Sequence, residues 1–466
     1  QDPEVSVEVN KEAISDYLTY GYTPTPYSMF KGIMKLPPAH FMVYEKGSIR
    51  IERYWSLDLS KKVKLCKKEY CDEIMRLLEE ATRIRLISDV PLGVFLSGGI
   101  DSSAIVYAMR KINIGKIKTF SIGFKDQTYN ELKYARIIAD RFQTEHREYI
   151  VEPDAIKMLP KLVWYYNEPY ADSSALPSYY VANMARQEVK VALNGDGGDE
   201  SFGGYERFMA ARFAEFLHMI PGKIRKPIVK LIADKIPESL AIKDFYTRLK
   251  RFMLMSDKPY RERHYNWVSI FKDPEKDNLF REDFRDGLKN KQSFIFLDKV
   301  FNDYRSKDVV DSVMSTDIKT YLLDDLLVKM DIATMANSLE GRSPFLDHRL
   351  MEFAATIPSN IKIKGVKLKY ILKVALKDKL PKEILSRGKM GFGIPIDVWF
   401  RGELKDYSHD ILTNEKCIER GYFKKESVER LLKDHYLGNA NNGSRIWTLL
   451  NLELWHKMFI DKENIL

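Results

Sequence analysis

The sequence predicts an α/β fold in which a doubly wound parallel sheet is followed by a mainly α-helical C-terminal half. Short apolar runs of strand length alternate with stretches of helical periodicity between residues 69 and 193, which is the pattern of a parallel sheet with crossover helices. Two of these runs end in glycine-rich turns. After Glu206 strand signals are few, and long stretches carry apolar residues at the helical period.

The first 57 residues predict one helix and one hairpin. Residues 11–20 have amphipathic helical spacing, and residues 41–44 and 49–54 predict a hairpin with its turn at Lys46. Because this segment has few apolar positions, it makes a poor core by itself. We therefore interpret residues 1–57 as the end of a larger domain.

The remainder, residues 58–466, is predicted to divide into a nucleotide-binding core at 58–205 and a mainly helical part at 206–466. Strands are predicted at residues 92–96, 118–124, 147–151 and 189–193. Helices are predicted at residues 69–86, 102–111, 130–142, 207–220 and 316–338.

Composition and charge exclude several classes of protein. Of 466 residues, 45% are hydrophobic and 30% are charged, which excludes a disordered or coiled-coil chain. No apolar run reaches the ~20 residues of a membrane span, and three cysteines do not make a disulfide framework. The net charge of +9 is spread along the chain, which favours a solvated surface over a nucleic-acid site. We expect a cytoplasmic protein with no membrane or nucleic-acid partner.

The first chemical motif is Ser-Gly-Gly-Ile-Asp-Ser-Ser at residues 97–103, between a predicted strand and a predicted helix. Glycines allow close approach of the backbone, and the N–H groups at a helix start attract phosphate-like anions. The Gly-Lys-Ser/Thr ending of the common phosphate loop is missing. Asp101 would repel a bare phosphate but could hold Mg²⁺ against a pyrophosphate. The alternative is a glycine turn in which Asp101 caps the helix.

A second glycine-rich loop, residues 194–205, follows the last predicted strand. It contains Asp196, Asp199 and Glu200 among five glycines. Ligands of open α/β sheets bind at the carboxyl ends of strands, so we expect both loops to line one crevice. The three carboxylates could bind a metal ion or perform acid–base chemistry. The alternative is a flexible acidic turn.

Two further segments place charged side chains next to glycine or proline. In residues 339–348, Glu340 and Arg342 stand two positions apart, which by itself indicates a local ion pair. In residues 387–395, Lys389 stands in a glycine-rich turn from which a lysine can reach a phosphate. The alternative for this second segment is an exposed basic turn.

These four motifs, taken in this order, resemble the glutamine-hydrolysing asparagine synthetase family, and specifically its ATP-dependent synthetase half. Phe-Lys-Gly-Ile-Met-Lys-Leu-Pro-Pro at residues 30–38 is similar to the end of the family's N-terminal glutaminase domain. The resemblance implies a sheet of the ATP-pyrophosphatase (adenine nucleotide alpha hydrolase-like) type and a truncated glutaminase domain.

The resemblance also implies ATP and Mg²⁺ as cofactors and roles for individual residues. The positions that match the family's ATP site are Leu96, Ser97, Gly98, Gly99, Asp101, Ser102, Ile122 and Gly195. Asp101 and Asp199 match its Mg²⁺ carboxylates, whereas Glu340 and Lys389 match residues around the adenylated intermediate. We expect Lys389 to stabilise phosphate charge, and Glu340 to act as the base with Asp196 as its helper.

The reaction that the resemblance implies is amide formation in two steps. A substrate carboxylate, aspartate in the first place, attacks the α-phosphorus of ATP and gives an acyl-adenylate and pyrophosphate. Ammonia, normally derived from glutamine, then attacks the acyl carbon, and AMP leaves. Residue 1 is Gln and the first cysteine is Cys66, whereas the family's glutaminase begins with a nucleophilic cysteine. We expect this chain to use free ammonia, with a glutaminase domain or subunit as partner.

Alternatives to aspartate amidation remain open. Asp196 stands where the family often has Glu, and Gly341 and Ser343 replace bulkier residues, so the acceptor could be a sugar acid, a peptide or a ring-closing amine. An RNA-modifying enzyme with the same ATP loop is disfavoured by the last two motifs and by the lack of a basic-aromatic cluster. A non-catalytic scaffold is disfavoured because both candidate metal carboxylates are present.

Overall fold

One parallel sheet organises the part of the chain that the computed structural model describes, which is residues 4–5, 7–113, 115–124, 130–151, 154–235, 245–289, 291–303, 306, 308–388 and 393–465. The strands are β1 (His40–Glu45), β2 (Ser48–Arg53), β3 (Leu92–Phe95), β4 (Lys118–Phe124), β5 (Glu145–Val151), β6 (Val191–Leu193) and β7 (Glu340–Arg342). β1 and β2 form an antiparallel hairpin, and the other strands form a five-stranded parallel sheet in the order β5-β4-β3-β6-β7. The predicted α/β class with a parallel sheet is confirmed.

Helices connect the strands and dominate the second half of the chain. Up to β6 they are α1 (Lys11–Tyr20), α2 (Lys67–Arg85), α3 (Ile100–Ile112), α4 (Leu132–Phe142), α5 (Ala155–Tyr166) and α6 (Ala175–Arg186). Between β6 and β7 they are α7 (Gly198–Phe202), α8 (Glu206–His218), α9 (Gly222–Lys235), α10 (Phe245–Ser256), α11 (Tyr260–Val268), α12 (Asp273–Leu279), α13 (Glu282–Gly287), α14 (Phe294–Asn302), α15 (Val309–Asp317) and α16 (Val328–Met335).

After β7 the helices are α17 (His348–Thr356), α18 (Ser359–Lys362), α19 (Tyr370–Ala375), α20 (Lys382–Ser386), α21 (Ile396–Trp399), α22 (Lys405–Thr413), α23 (Glu415–Glu419), α24 (Lys425–Tyr436) and α25 (Gly443–Trp455). A π-helical segment, Ile318–Leu327, joins α15 to α16, a second, His456–Ile460, follows α25, and a 3₁₀ turn, Pro344–Leu346, follows β7. The prediction of a mainly helical second half is confirmed.

Strand β7 is a strand of the sheet that the sequence does not predict. Its three residues are Glu, Gly and Arg, none of which favours a strand. They become one because β6 supplies a parallel partner, with Val191 opposite Glu340 and Leu193 opposite Arg342. The four predicted strands are all present, and β4 spans the predicted residues.

The apolar core joins the beginning of the chain to its end. Tyr17 and Leu18 of α1 are fully buried in the same apolar cluster as Trp447 and Trp455 of α25. The Tyr17 hydroxyl donates a hydrogen bond to the backbone carbonyl of Thr448 at 2.8 Å. Strand β2, in contrast, is exposed along its whole length. The core therefore does not divide at the predicted domain boundary.

Membrane-spanning helices are absent from the described part of the chain, where none is both long and apolar enough to cross a bilayer.

Candidate functional site

The first glycine-rich loop joins β3 to α3, at the carboxyl end of the central strand. Gly98 has a φ of +66°, and a Cβ there would lie 2.6 Å from the backbone nitrogen of Ala135, so the loop requires glycine. The Ser97 hydroxyl accepts a hydrogen bond from Gly99 N–H at 3.2 Å and lies 3.2 Å from the Ser102 hydroxyl. These contacts form a tight turn at the N-terminus of α3, where backbone N–H groups favour an anion.

The second glycine-rich loop follows β6, which is the neighbour of β3 in the sheet. Gly195 and Gly198 allow this loop to pack directly on Asp101 of the first. A Cβ on Gly195 would lie 2.9 Å from the Asp101 Cβ, and one on Gly198 would lie 2.7 Å from its carboxyl carbon. Both loops line one cleft, as the strand order of an open α/β sheet leads one to expect.

Lys369 connects the two loops through its ammonium group. The ammonium pairs with Asp101 of the first loop and lies 2.7 Å from Asp199 Oδ1 of the second. The backbone N–H of Lys369 donates to the Gly203 carbonyl at 3.3 Å, which holds the lysine beside the second loop. Burial by itself would lower the pKa of the Lys369 ammonium, but the two carboxylates outweigh burial and raise that pKa. The lysine is therefore charged and neutralises part of the acidic pair.

Asp101 and Asp199 have the chemistry of a Mg²⁺ site that is shared with a ligand. Mg²⁺ prefers oxygen ligands and usually binds one or two protein carboxylates together with substrate phosphates and water. The two carboxylates are close enough to share one ammonium. Within the described ranges no cluster of three or more His, Cys, Asp or Glu side chains could hold an ion. The donor set fits a Mg²⁺ ion that a nucleotide also ligates.

The cleft between the loops has a volume of about 810 Å³. One end is apolar and is lined by Leu96, Phe120, Ile122, Leu132 and Ala135. Leu96 and Ile122, both predicted to contact adenosine, therefore lie in the cleft next to the first glycine-rich loop. Apolar walls beside an anion-binding turn suit a ligand with a flat ring and phosphates.

The other end of the cleft contains a buried ion pair. The Lys329 ammonium lies 2.7 Å from Asp172 Oδ2 and 2.8 Å from the Ser174 hydroxyl. Burial would raise the pKa of Asp172, but Lys329 outweighs it and holds that pKa below its usual value. Burial would likewise lower the pKa of Lys329, whereas Asp172 and Asp325 raise it. The pair is therefore ionised within the cleft wall.

Asp196 lies between this ion pair and the candidate metal carboxylates. Burial raises the pKa of Asp196 to about 6, with added repulsion from Asp101 and Asp199 and partial relief from Lys329. Its Oδ2 atom is buried and has no hydrogen-bond partner among the described residues. A cleft carboxyl with a raised pKa and an unused oxygen is suited to accept a proton from a substrate.

Two tyrosines form an aromatic wall at the same end of the cleft. The Arg207 guanidinium lies over both rings, 4.1 Å from the centroid of Tyr205 and 4.9 Å from that of Tyr321. Its Nε donates to Asp317 at 2.7 Å, and the other Asp317 oxygen lies 3.0 Å from His264 Nε2. The cation and its buried partners hold both rings in place.

Arg387, which also lines the cleft, supports the first glycine-rich loop. Its guanidinium donates to the Gly98 carbonyl at 3.0 Å, pairs with Glu131, and lies 4.2 Å from the centroid of the Tyr134 ring. Arg387, the first residue of the basic segment after α20, therefore contacts the glycine-rich loop at Gly98. Lys389, for which we predict a role on the phosphate, lies outside the described residues, and its role stays a prediction.

Glu340 is not brought to the cleft. It is the first residue of β7 and pairs with Val191, the first residue of β6, so it lies at the amino end of both strands, away from the loop that follows β6. Its side chain is 55% exposed, and its carboxylate accepts a hydrogen bond from Arg342 Nε at 2.7 Å, which lowers the pKa of Glu340. The alternative interpretation, a local ion pair, describes its surroundings in the structure. The expectation that Glu340 acts as the base has no support from its position.

Sequence reasoning missed Lys369 and Lys329. Lys329 stands in a predicted helix with an apolar stripe. A lysine on such a stripe indicates a buried, paired charge, and this signal could have found Lys329. Lys369 is one of several lysines in a short segment, and no spacing distinguishes it from the others.

Two family models match the chain. The asparagine synthase model matches residues 73–457, and the glutamine amidotransferase domain model matches residues 1–55. The amidotransferase match covers the segment that we interpret as the end of a glutaminase-type domain.

The chain is also similar to named proteins. A glutamine-hydrolyzing asparagine synthetase, number 1 of Bacillus subtilis, is 31% identical over 463 residues, which are 98% of this chain and 70% of that protein. A putative glutamine-hydrolyzing asparagine synthetase of Mycobacterium bovis is 30% identical over 464 residues, 97% of this chain and 68% of that protein. Amidase chyE of Penicillium rubens is 23% identical over 447 residues, 86% of this chain and 65% of that protein.

Proposed function

Because the chain belongs to the asparagine synthase family, we propose that it is an ATP-dependent carbon–nitrogen ligase that forms an amide through an acyl-adenylate. One observation carries the proposal: two glycine-rich loops at the ends of neighbouring parallel strands bring Asp101 and Asp199 onto a single ammonium. We assign the sheet to the ATP-pyrophosphatase type on the same ground.

ATP is the proposed nucleotide. Its adenine would lie against the apolar end of the cleft, which includes Leu96 and Ile122, and its phosphates would lie on the turn at Ser97–Gly99 and the start of α3. Asp101 and Asp199 would hold Mg²⁺, which would neutralise charge on the leaving pyrophosphate. For the ion to bind between these carboxylates, the Lys369 ammonium must leave at least one of them and becomes available to a phosphate oxygen.

The acceptor carboxylate is proposed to bind at the polar end of the cleft, between Asp196, Lys329 and the wall formed by Tyr205 and Tyr321. Holding it beside the α-phosphorus supplies the proximity for the first step. In the second step the attacking ammonia must lose a proton. Asp196 is the proposed base in place of Glu340, because it lines the cleft and has a buried oxygen without a partner among the described residues.

Aspartate is the first proposed acceptor, and the similarity to glutamine-hydrolyzing asparagine synthetases supports it. A second candidate keeps the chemistry and changes the acceptor. Gly341 and Ser343 stand where the family has bulkier residues, and the Ser343 hydroxyl donates to Asn194, a residue of the cleft wall. The similarity to a protein named an amidase supports this candidate. Ammonia from a glutaminase-type domain or subunit is supported by the match at residues 1–55.

ATP–pyrophosphate exchange against a panel of carboxylic acids tests the proposed function. We expect exchange that requires Mg²⁺ and one class of acid, followed by AMP and amide formation when ammonium is added. Asp101→Asn and Asp199→Asn should each abolish exchange, whereas the matched control Asp72→Asn, on the exposed surface of α2, should not change it. Exchange that survives in both loop variants would remove the metal assignment, and AMP formation without pyrophosphate would refute adenylation.

A further inference from the structure

An apolar surface is exposed where α8 leads into α9. Phe216, Met219, Ile224, Ile228 and Leu231 are all exposed, from 48% for Ile228 to 79% for Met219. Only Met219 and two further residues separate α8 from α9, so these side chains follow one another along two consecutive helices. Water-exposed apolar groups in such a series mark a surface that contacts something other than water.

Helix α9 presents two different faces. Arg225, Val229 and Ala233 are buried, at intervals of four residues, and fasten the helix to the protein. Ile224, Ile228 and Leu231 recur at intervals of four and three residues on a different side of the helix, where they are exposed. The helix therefore carries a second apolar stripe, in addition to the one that packs on the fold.

Exposed lysines accompany this stripe on the same helix. Lys223, Lys226, Lys230 and Lys235 of α9 are exposed, Lys226 lies 3.6 Å from Asp257 Oδ2, and Asp234 is the one acidic residue of the helix. The Arg225 guanidinium does not add to the surface charge, because it is buried and bonded to the Asp257 carboxylate at 2.6 and 2.9 Å. The exposed side of α9 thus combines branched apolar side chains with an excess of positive charge.

We propose that α9, with the end of α8, docks on the surface of an anionic lipid bilayer. A helix with an apolar stripe and adjacent lysines lies in the plane of the interface, where the apolar groups enter the acyl boundary and the ammonium groups contact phosphates. Long lysine side chains can reach the headgroups while their methylene groups stay near the apolar region. The helix lies on the bilayer and does not cross it, in agreement with the absence of a spanning helix among the described residues.

A second copy of this chain fits the surface less well. A two-fold interface places the same patch on both sides, so the lysines of one α9 would face those of the other, and like charges across an interface are unfavourable. The cleft described above includes no residue of α9, so the stripe is not an extension of the substrate site.

Vesicle sedimentation with the full chain tests the proposal. We expect the protein to pellet with vesicles of phosphatidylcholine and phosphatidylglycerol, less with phosphatidylcholine alone, and less as salt is added. Leu231→Glu and Lys230→Glu should each lower the partition coefficient by about tenfold, through loss of apolar contact and of charge attraction. The matched controls are Leu437→Glu and Lys68→Glu, which change exposed residues of the same types elsewhere.

The outcomes separate the possible occupants of this surface. Thermal unfolding of each variant first establishes that it is folded, and Leu231 is 57% exposed, so its replacement should leave the fold intact. Failure to pellet with anionic vesicles, or equal binding by Leu231→Glu and Leu437→Glu, would overturn the proposal. A dimer in sedimentation velocity that Leu231→Glu dissociates would assign the surface to a second copy instead. None of these measurements depends on the proposed ligase activity.

Discussion

Lys369 shows how one side chain can determine the electrostatics of the cleft. Asp101 and Asp199 belong to loops that are almost a hundred residues apart in the sequence, and one buried ammonium compensates both carboxylates. Two partly buried like charges without compensation are costly. A bound cation could replace the lysine, which links metal binding to the position of this side chain.

Lys369→Met should therefore destabilise the protein without ligands and make its stability depend more strongly on Mg²⁺. We expect a loss of at most about 3–5 kcal/mol, because removing the lysine leaves two partly buried carboxylates uncompensated. Thermal unfolding with and without Mg²⁺ measures both effects. Lys367→Met, which removes an exposed lysine from the same segment, is the control. An equal Mg²⁺-dependent shift in both variants would contradict this account.

Replacing Asp196 and replacing Glu340 should have different effects on the rate of the amide-forming step. If Asp196 is the base, Asp196→Asn should lower amide formation by roughly 10²–10⁴-fold and leave ATP–pyrophosphate exchange nearly unchanged. Glu340→Gln should affect neither rate strongly, because its carboxylate is exposed and bonded to Arg342. Rapid-quench measurement of both steps distinguishes the two residues. The reverse pattern would return the base role to Glu340.

At the scale of elements, the segment after β7 is held by the start of α17. Asp347 is the N-cap of this helix, and its carboxylate accepts from the backbone N–H of Arg349 and pairs with Arg85 of α2. Burial would raise the pKa of Asp347, but the hydrogen bonds from Arg349 and Arg85 outweigh burial and lower that pKa to about 2. One carboxylate therefore caps α17 and connects it to α2.

Asp347→Asn should remove a part of the acid dependence of stability. The folded-state pKa lies below the unfolded value of about 3.9, so the carboxylate stabilises the protein above about pH 4 and loses this effect as the pH falls towards 2. Asparagine keeps the cap but not the ion pair, and we expect a loss of about 1–2 kcal/mol at neutral pH. Denaturant unfolding between pH 2 and 7 measures it, with Asp378→Asn as an exposed control. Parallel stability curves for the variant and the parent protein would contradict the assignment.

At the scale of the whole molecule, the N-terminal helix belongs to the C-terminal helical core. The α1 side chains are buried against α25 and neighbouring helices, whereas the β1–β2 hairpin of the same N-terminal segment is exposed. Residues from the two ends of the chain therefore stabilise each other, and the two glycine-rich loops of the cleft lie between them in the sequence.

Leu18→Ala should lower the free energy of unfolding of the whole protein. Leu18 is fully buried, and truncating a buried leucine costs about 2–5 kcal/mol. Ile49→Ala, in the same N-terminal segment but 63% exposed, should have little effect. Equilibrium unfolding followed by tryptophan fluorescence and by far-ultraviolet circular dichroism compares the two variants. Similar losses in both would show that α1 is not part of the core.

The two glycine-rich loops found in the sequence correspond to parts of the cleft because local chemistry specifies them, whereas no residue of the segment 339–348 lines it. Gly98 is required because the backbone of another segment lies against it, and Gly195 and Gly198 are required because Asp101 packs on them. Such glycine-rich loops can be recognised in the sequence without knowledge of the fold. The role of Lys389 on the phosphate stays a prediction, because this residue lies outside the described part of the chain. The role predicted for Glu340 rests on its match to a family position, whereas its distance from the cleft follows from the register of β7, which no local signal encodes.

The sequence by itself determined the class of fold, the alternation of strands and helices and the two glycine-rich loops, because apolar periodicity and glycine placement are local properties. Only the tertiary structure decided that Lys369 pairs with both Asp101 and Asp199, that Lys329 enters the cleft, and that α1 packs on α25. These contacts join residues far apart in the chain, and burial, not spacing, selects the side chains that make them. A lysine in a solvated segment and a lysine between two partly buried carboxylates have the same sequence signature, and the fold alone distinguishes them.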